Sequence, residues 1–261
     1  MSLMNGNRRI ILLLPFFVFS ALSPAISYDR LPVLVYHHLE TPATTDVSCT
    51  PADFEAQMSA LLREGFYPIT LSQARLFLIG GLKEVPRPIL ITFDDGYESV
   101  FQHALPVAQK FQIPMTVFIV TARIGLKPQF LRYLSKEQIR KMLESGYFEF
   151  GSHTHELHFN ILKLVSAFHS EPNPVFGLLR DDLEKSMNVL KGICGKSVFA
   201  LAWPYGKFNS NFAQIARDCG FTLHFTSIPG FNEPGSNPFA IKRIPVTSRD
   251  TTQSLLKKIG D

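Results

Sequence analysis

The sequence predicts one α/β domain: a single barrel-like (β/α) fold, its barrel incomplete or distorted, after an N-terminal signal peptide. Three observations predict it. Short runs that are apolar throughout alternate with stretches of helical periodicity, as parallel strands covered on both faces do. Polar residues stand just after those runs, at His37, Asp94, Asp95, His153 and Trp203-Pro204-Tyr205. No repeat period, charge block or linker divides the chain after its leader. Chemistry in such barrels gathers at the C-terminal ends of the strands. Periodicity and polar placement therefore choose the same face.

The elements follow in order. Arg8 and Arg9 precede the apolar run Ile10 to Leu22 and then small residues, which is the order of a secretory signal. That run is shorter than the roughly 20 residues a bilayer core requires. Residues 1–27 are thus expected to be removed before Tyr28, leaving a domain over 28–261 that is exported; an uncleaved anchor is the rival. Pro32 to Tyr36 reads as a buried strand ending at His37-His38. Thr50-Pro51-Ala52-Asp53 carries a cap, a first-position proline and an acid, so a helix starts there and stops at Gly65. A second helix runs from Thr70 to Gly80-Gly81, and Pro88 to Phe93 is a continuous apolar strand ending at Asp94-Asp95-Gly96.

Beyond it come a helix over Val100 to Lys110, a strand over Met115 to Val120 and a helix over Ser135 to Glu144. Tyr147 to Phe150 forms a strand ending at Gly151-Ser152-His153. Phe159 to Gly177 reads as a long loop. A helix over Leu178 to Leu190, a strand over Val198 to Ala202, a helix over Asn211 to Cys219 and a strand over Phe221 to Thr226 continue the alternation. A last strand near Ile241 to Ile244 precedes a helix from Thr252.

Composition sets the outer bounds. The chain has 261 residues, 46% hydrophobic and 18% charged, which excludes intrinsic disorder. With Arg8 and Arg9 removed, 24 basic residues face 22 acidic ones, a balance of +2 that carries no nucleic-acid footprint. Cys49, Cys194 and Cys219 allow at most one internal disulfide, with Cys194–Cys219 the open option, and buried free thiols are the expectation. No Cys-x-x-Cys spacing supports a thiolate metal site. Most of the 23 phenylalanines belong to strand runs or helix stripes. Phe159, Phe168 and Phe176 are the exceptions, in a loop expected to pack over the barrel, with the lining of a glycan groove or contact with a membrane surface as the rivals.

Two clusters carry chemistry. Asp94 and Asp95 stand between a strand and a glycine, where adjacent acids can serve two roles; an Asp-Gly turn is the bland alternative. His153, His155 and His158 gather three imidazoles, the commonest metal ligand, within six residues. On an ideal helix, positions five apart point away from each other, so His153 and His158 meet only across a turn. His155 with His158 is the rival pair. One carboxylate and two imidazoles leave open positions for water and substrate, as catalytic zinc sites do.

Thr92-Phe93-Asp94-Asp95-Gly96-Tyr97 resembles the first motif of the polysaccharide deacetylases, carbohydrate esterase family four. Ser152-His153-Thr154 to His158 resembles their second motif and Trp203-Pro204-Tyr205-Gly206 their third. The spacing of His153 and His158 is similar to that of the poly-N-acetylglucosamine deacetylases of biofilm systems. The catalytic-acid motif of those enzymes lies near the N-terminus, and Val35-Tyr36-His37-His38 resembles it. The resemblance spans Leu31 to Val246.

It implies that Asp95, His153 and His158 hold a divalent metal, zinc foremost, and that Asp94 is the general base. It further implies that the Tyr205 N–H meets the oxyanion and that His37 is the general acid. Tyr97, Thr154, Trp203 and Pro204 would bind or orient substrate. One departure concerns the arginine that many members carry before Pro-Tyr-Gly. Here that stretch reads Leu201-Ala202-Trp203, and Arg243 is the substitute.

The implied activity is metal-dependent removal of N-acetyl groups from an N-acetylglucosamine polymer, poly-β-1,6-N-acetylglucosamine first. A peptidoglycan or chitin-type deacetylase is one alternative, and a non-catalytic glycan-binding module with the same fold is another. The expected partner is an N-acetylated glycan, with peripheral contact to a membrane or cell envelope and none to nucleic acid.

Overall fold

The structure, a computed structural model, describes residues 29–83, 85–129, 131–166 and 174–260. The expected signal peptide and Phe168 lie outside them. The chain runs β1 (Val33–Tyr36), β2 (His38–Leu39), β3 (Ser48–Cys49), α1 (Pro51–Arg63), β4 (Tyr67–Pro68), α2 (Leu71–Leu78) and β5 (Pro88–Phe93). A π-helical turn, Val100–Ala104, leads into α3 (Leu105–Phe111), and β6 (Met115–Ile119), α4 (Lys136–Glu144) and β7 (Phe148–Ser152) follow. Then come α5 (Ile161–Ser166), α6 (Pro174–Cys194), β8 (Ala200–Ala202), α7 (Ser210–Asp218), β9 (Leu223–Phe225), β10 (Ile244–Pro245) and α8 (Thr252–Gly260).

The main sheet is parallel, in the order β10-β1-β5-β6-β7-β8-β9, with β4 pairing the start of β5. Its two edges are joined by one segment. Ile241 bridges Phe225 at the β9 edge, and Ile244 pairs with Leu34 at the β1 edge. A bent last strand thus spans the gap of a distorted barrel.

Strand side chains alternate between two buried layers, which is why the runs are apolar throughout. Tyr36, Ile91, Phe93, Val117, Ile119 and Leu201 pack outward with the helices, against partners such as Phe54, Met142, Leu183 and Phe212. Val33, Leu90, Phe118, Ala202, Leu223 and Phe225 fill the interior, and Leu71, Ala74, Phe77 and Leu78 bring α2 against that layer.

Helix starts follow local chemistry. The Thr50 hydroxyl accepts from the Asp53 N–H ahead of Pro51, and reciprocal capping boxes open α2 (Thr70 with Gln73) and α4 (Ser135 with Gln138).

Several boundaries differ from the sequence reading. The stretch expected as one loop holds a 3-10 turn at Leu157–Phe159 and helix α5, and α6 starts at Pro174, ahead of Leu178. Val175, Leu179 and Leu183 form a buried stripe that carries the helix through exposed Gly177. Strand β7 also continues to Ser152, paired with Ile119. All three cysteines are free, Cys49 buried and the other two half-buried.

Candidate active site

The strand ends converge on a cavity of about 400 Å³ lined by His37, Asp94, Asp95, Tyr97, His153, His158, Tyr205 and Arg243 among others. Its size lies in the range of small-molecule sites. Five non-glycine residues among those described take positive φ, and Asp95 (69°), Thr154 (69°) and Tyr205 (55°) are three of them. Each sits in the turn that follows a strand. Strained backbone of this kind persists where its surroundings over-determine it, often at functional sites. Next to Tyr205, a side chain at Gly206 would run into the backbone nitrogen of Ser227, so this turn admits only glycine.

The adjacent acids turn to different partners. Asp94 receives both guanidinium nitrogens of Arg243, Nη1 to Oδ1 and Nη2 to Oδ2, each at 2.7 Å. Arg243 is itself fixed by Nε donating to the Thr226 carbonyl, and both partners are buried. Burial pushes the Asp94 carboxyl up, but the charge and paired hydrogen bonds of the Arg243 guanidinium outweigh it, so the group sits below the usual carboxylate range. Asp94 is therefore an ionised, rigidly oriented carboxylate.

Asp95 turns the other way. Its Oδ1 lies 3.0 Å from His158 Nε2 and 3.5 Å from His153 Nε2. Burial raises its carboxyl, and the hydrogen bond with His158, the largest opposing influence, brings it well below the usual range. His153 Nδ1 lies 2.8 Å from the Ala202 carbonyl, which makes Nδ1 the protonated nitrogen and leaves the Nε2 lone pair facing Asp95. Burial lowers the His153 pKa more than Asp94 and Asp95 raise it, so the ring is neutral, as a ligand must be. Ligand atoms of Asp95, His153 and His158 all lie within 4.8 Å of one another. This N₂O donor set fits zinc or another first-row divalent ion.

The rival imidazole is elsewhere. His155 Nδ1 meets Thr121 Oγ1 at 2.8 Å, away from Asp95. What brings His158 across to His153 is a residue the sequence reading missed. Asp182 of α6 accepts from three successive backbone N–H groups, His155 and Glu156 at 2.7 Å and Leu157 at 3.0 Å. A signal existed: Asp182 falls on the same stripe as Leu179 and Leu183, an acid on a helix's apolar face.

The remaining candidates divide into lining and support. His37 and Tyr97 line the cavity, whereas His38 turns off, its Nδ1 at 2.7 Å from Ser99 Oγ. The Tyr205 ring sits 5.2 Å from that of His158, and Phe159 meets His158 edge-on at 4.6 Å. Thr154, Trp203 and Pro204 are buried behind the site and do not line it. Trp203 stacks on Phe208, 5.8 Å between centroids, as a floor under the Tyr205 turn. Phe176 packs against the core instead of lining a groove.

Comparison with known proteins agrees with this arrangement. The polysaccharide deacetylase family profile matches residues 82–224. The chain is 30% identical over 246 residues to a poly-beta-1,6-N-acetyl-D-glucosamine N-deacetylase of Staphylococcus aureus, covering 90% of this chain and 81% of the relative. It is 32% identical over 213 residues to the Staphylococcus epidermidis protein of the same name, covering 81% and 72%. Among solved structures, IcaB from Ammonifex degensii superposes with a TM-score of 0.78 at 28% identity, over 90% of this chain and 99% of that one. With the Asp-Asp turn, the paired histidines and the Pro-Tyr-Gly turn all on one rim, the chain belongs to the polysaccharide deacetylase family.

Proposed function

We propose that this chain is an exported hydrolase that removes N-acetyl groups from an N-acetylglucosamine polymer, poly-β-1,6-N-acetylglucosamine first. A divalent metal, zinc by its donor set, would be held by Asp95, His153 and His158. One observation carries the reading. A buried carboxylate clamped by Arg243 and a convergent Asp-His-His set share one cavity. A glycan-binding module has no use for a clamped base beside ligand atoms. The relatives named for poly-β-1,6-N-acetylglucosamine give the linkage its preference.

The bound metal supplies Lewis acidity to the acetyl carbonyl, an otherwise poor electrophile. The chain's own groups do the rest. Asp94 takes a proton from the attacking water, and its ionisation is secured by Arg243. The backbone N–H of Tyr205 donates to the oxyanion, a contribution of about 3–4 kcal/mol where a comparable donor has been removed. His37 gives a proton to the departing nitrogen as the C–N bond breaks, because an amine does not leave as an anion. Acetate and a free amino sugar result.

Residues 1–27 act as a signal peptide in this reading. Among the described residues no helix is long and apolar enough to cross a membrane. Phe159, 54% exposed at the cavity rim, is placed for a sugar face or an envelope surface.

The test is acetate release from β-1,6- and β-1,4-linked N-acetylglucosamine oligomers, with and without chelator. Release from the β-1,6 series, abolished by chelation and restored by zinc, is expected. Release from β-1,4 oligomers alone would move the assignment to a chitin or peptidoglycan substrate.

A further inference from the structure

A second cavity of about 340 Å³ adjoins the first, lined by His38, Glu40, Glu98, Ser99, His103 and Arg132 among others. The stacked pair His38–Tyr97, with ring centroids 5.0 Å apart, forms the shared wall, since Tyr97 lines the catalytic cavity. A polymer unit in the second cavity is therefore a near neighbour of the unit being hydrolysed.

Glu98 is the unusual residue here. It is 9% exposed, and its Oε1 accepts from Gln138 Nε2 at 2.8 Å. Its Oε2 is buried without a hydrogen-bond donor. The Arg132 guanidinium stands 3.9 Å away, beyond hydrogen-bond reach, on a side chain that is 65% exposed. A buried carboxylate oxygen left without a donor is costly, and a charged donor meets that cost best. The Ser99 hydroxyl is already engaged by His38 and by the Leu39 N–H.

We propose that this cavity is a subsite for a deacetylated, cationic hexosamine unit of the same polymer, whose ammonium donates to Glu98 Oε2 as Arg132 swings aside. The proposal rests on the deacetylase reading above and deepens it. Hydrolysis changes a unit in one respect, exchanging an uncharged acetamide for an ammonium. A carboxylate with an unused acceptor reads that difference. The subsite would favour chains that already carry free amines next to the unit to be processed.

The test uses two substitutions with opposite expected signs. Binding of a β-1,6-linked glucosamine tetramer is measured by calorimetry at low salt on the whole protein. Glu98→Gln keeps an oxygen for Gln138 and should weaken binding by about tenfold, the worth of one charge-assisted bond. Arg132→Ala removes the competing cation from an exposed position and should tighten binding. Acetate release from a fully acetylated dimer should stay within about twofold in both, since neither residue lines the catalytic cavity. Equal affinity in wild type and Glu98→Gln, no affinity in wild type, or weakening in both variants would overturn the subsite.

The two readings fail separately. Glu98-dependent tetramer binding by a protein that releases no acetate would keep the amine site and sink the deacetylase assignment. Acetate release with binding indifferent to Glu98 would do the reverse.

Discussion

Arg243 grips Asp94 through two parallel hydrogen bonds of 2.7 Å across 149 positions of sequence. Both groups are buried, so the pair is an oriented charge in a low-dielectric setting and more than a surface contact. Arg243→Met leaves the carboxylate buried and unpaired, which should cost about 3–5 kcal/mol of stability. Burial then acts on Asp94 unopposed, so its ionisation, and with it the acid limb of kcat/KM, should move to higher pH. Arg243→Lys keeps the charge but loses the fork, and should fall between. Thermal melts and pH–rate profiles check both; an unmoved acid limb in Arg243→Met would show that Asp94 is not the base.

Ligand and base should separate under mutation. Asp95→Ala, His153→Ala and His158→Ala are each expected to lose zinc and activity together. Asp94→Asn should hold zinc and lose turnover. His155→Ala, whose ring is turned to Thr121, should keep zinc. Metal content by mass spectrometry, set against turnover, reads all five. Zinc lost from Asp94→Asn but kept by Asp95→Ala would reverse the roles.

His37→Ala should lower kcat by about 10²–10⁴-fold with metal content unchanged, the usual worth of a positioned acid. His38 is the internal control, because Ser99 holds its ring on the far side of Tyr97. A larger loss in His38→Ala than in His37→Ala would sink the assignment.

Asp182 acts through the turn it ties. Asp182→Asn replaces one acceptor oxygen with a donor facing backbone N–H groups, so the His155–Leu157 turn should loosen. Zinc affinity should drop about 10–100-fold, as when the groups that orient metal ligands are removed. Chelator competition measures this. Unchanged affinity together with a lowered melting temperature would make Asp182 a fold residue alone.

The difference between Asp182 and Asp94 shows what was legible in the sequence. The rim could be read because β1, β5, β7 and β8 are mainly apolar runs and a polar residue after such a run has one place to go. His37, Asp94, Asp95, His153 and Tyr205 all announced themselves that way. Arg243 came into view only through the family resemblance, as the substitute for an arginine missing before Pro-Tyr-Gly. Asp182 and Glu98 were not read: the charges of Arg180, Asp181 and Glu184 around Asp182 hid its place on the Leu179–Leu183 stripe, and Glu98 stands just past the Asp-Asp-Gly-Tyr motif that drew attention first. Thr154, Trp203 and Pro204 carry the right motif yet sit behind the rim, since adjacency in a motif does not say which side chain faces the cavity. The choice between His155 and His158 needed the turn itself.

His224 gives the fold a pH response of its own. Burial lowers its pKa from the usual 6.5 to about 4, against a raising hydrogen bond to the Phe221 carbonyl. The unfolded chain therefore binds the extra proton first as pH falls. The stability this neutral ring contributes is full above about 6.5 and lost on the way down through 4, on the order of 3 kcal/mol in all. Denaturant unfolding at pH 7, 5.5 and 4.5 should show it, and His224→Gln should flatten the decline. Parallel declines in the two proteins would place the response in other groups.

The bent last strand closes the barrel and the site together. Ile241 and Ile244 pair with opposite edges of the sheet, and Arg243 lies between them. Asp95, His153 and His158 come from turns earlier in the chain, and none of their side-chain contacts described above is to that strand. Asp94 gains its counter-charge only when the strand docks. On the roles proposed above, the groups that would hold metal are complete without the closing segment, whereas the orientation of the proposed base depends on it, so the last strand is part of the catalytic apparatus as well as of the barrel wall.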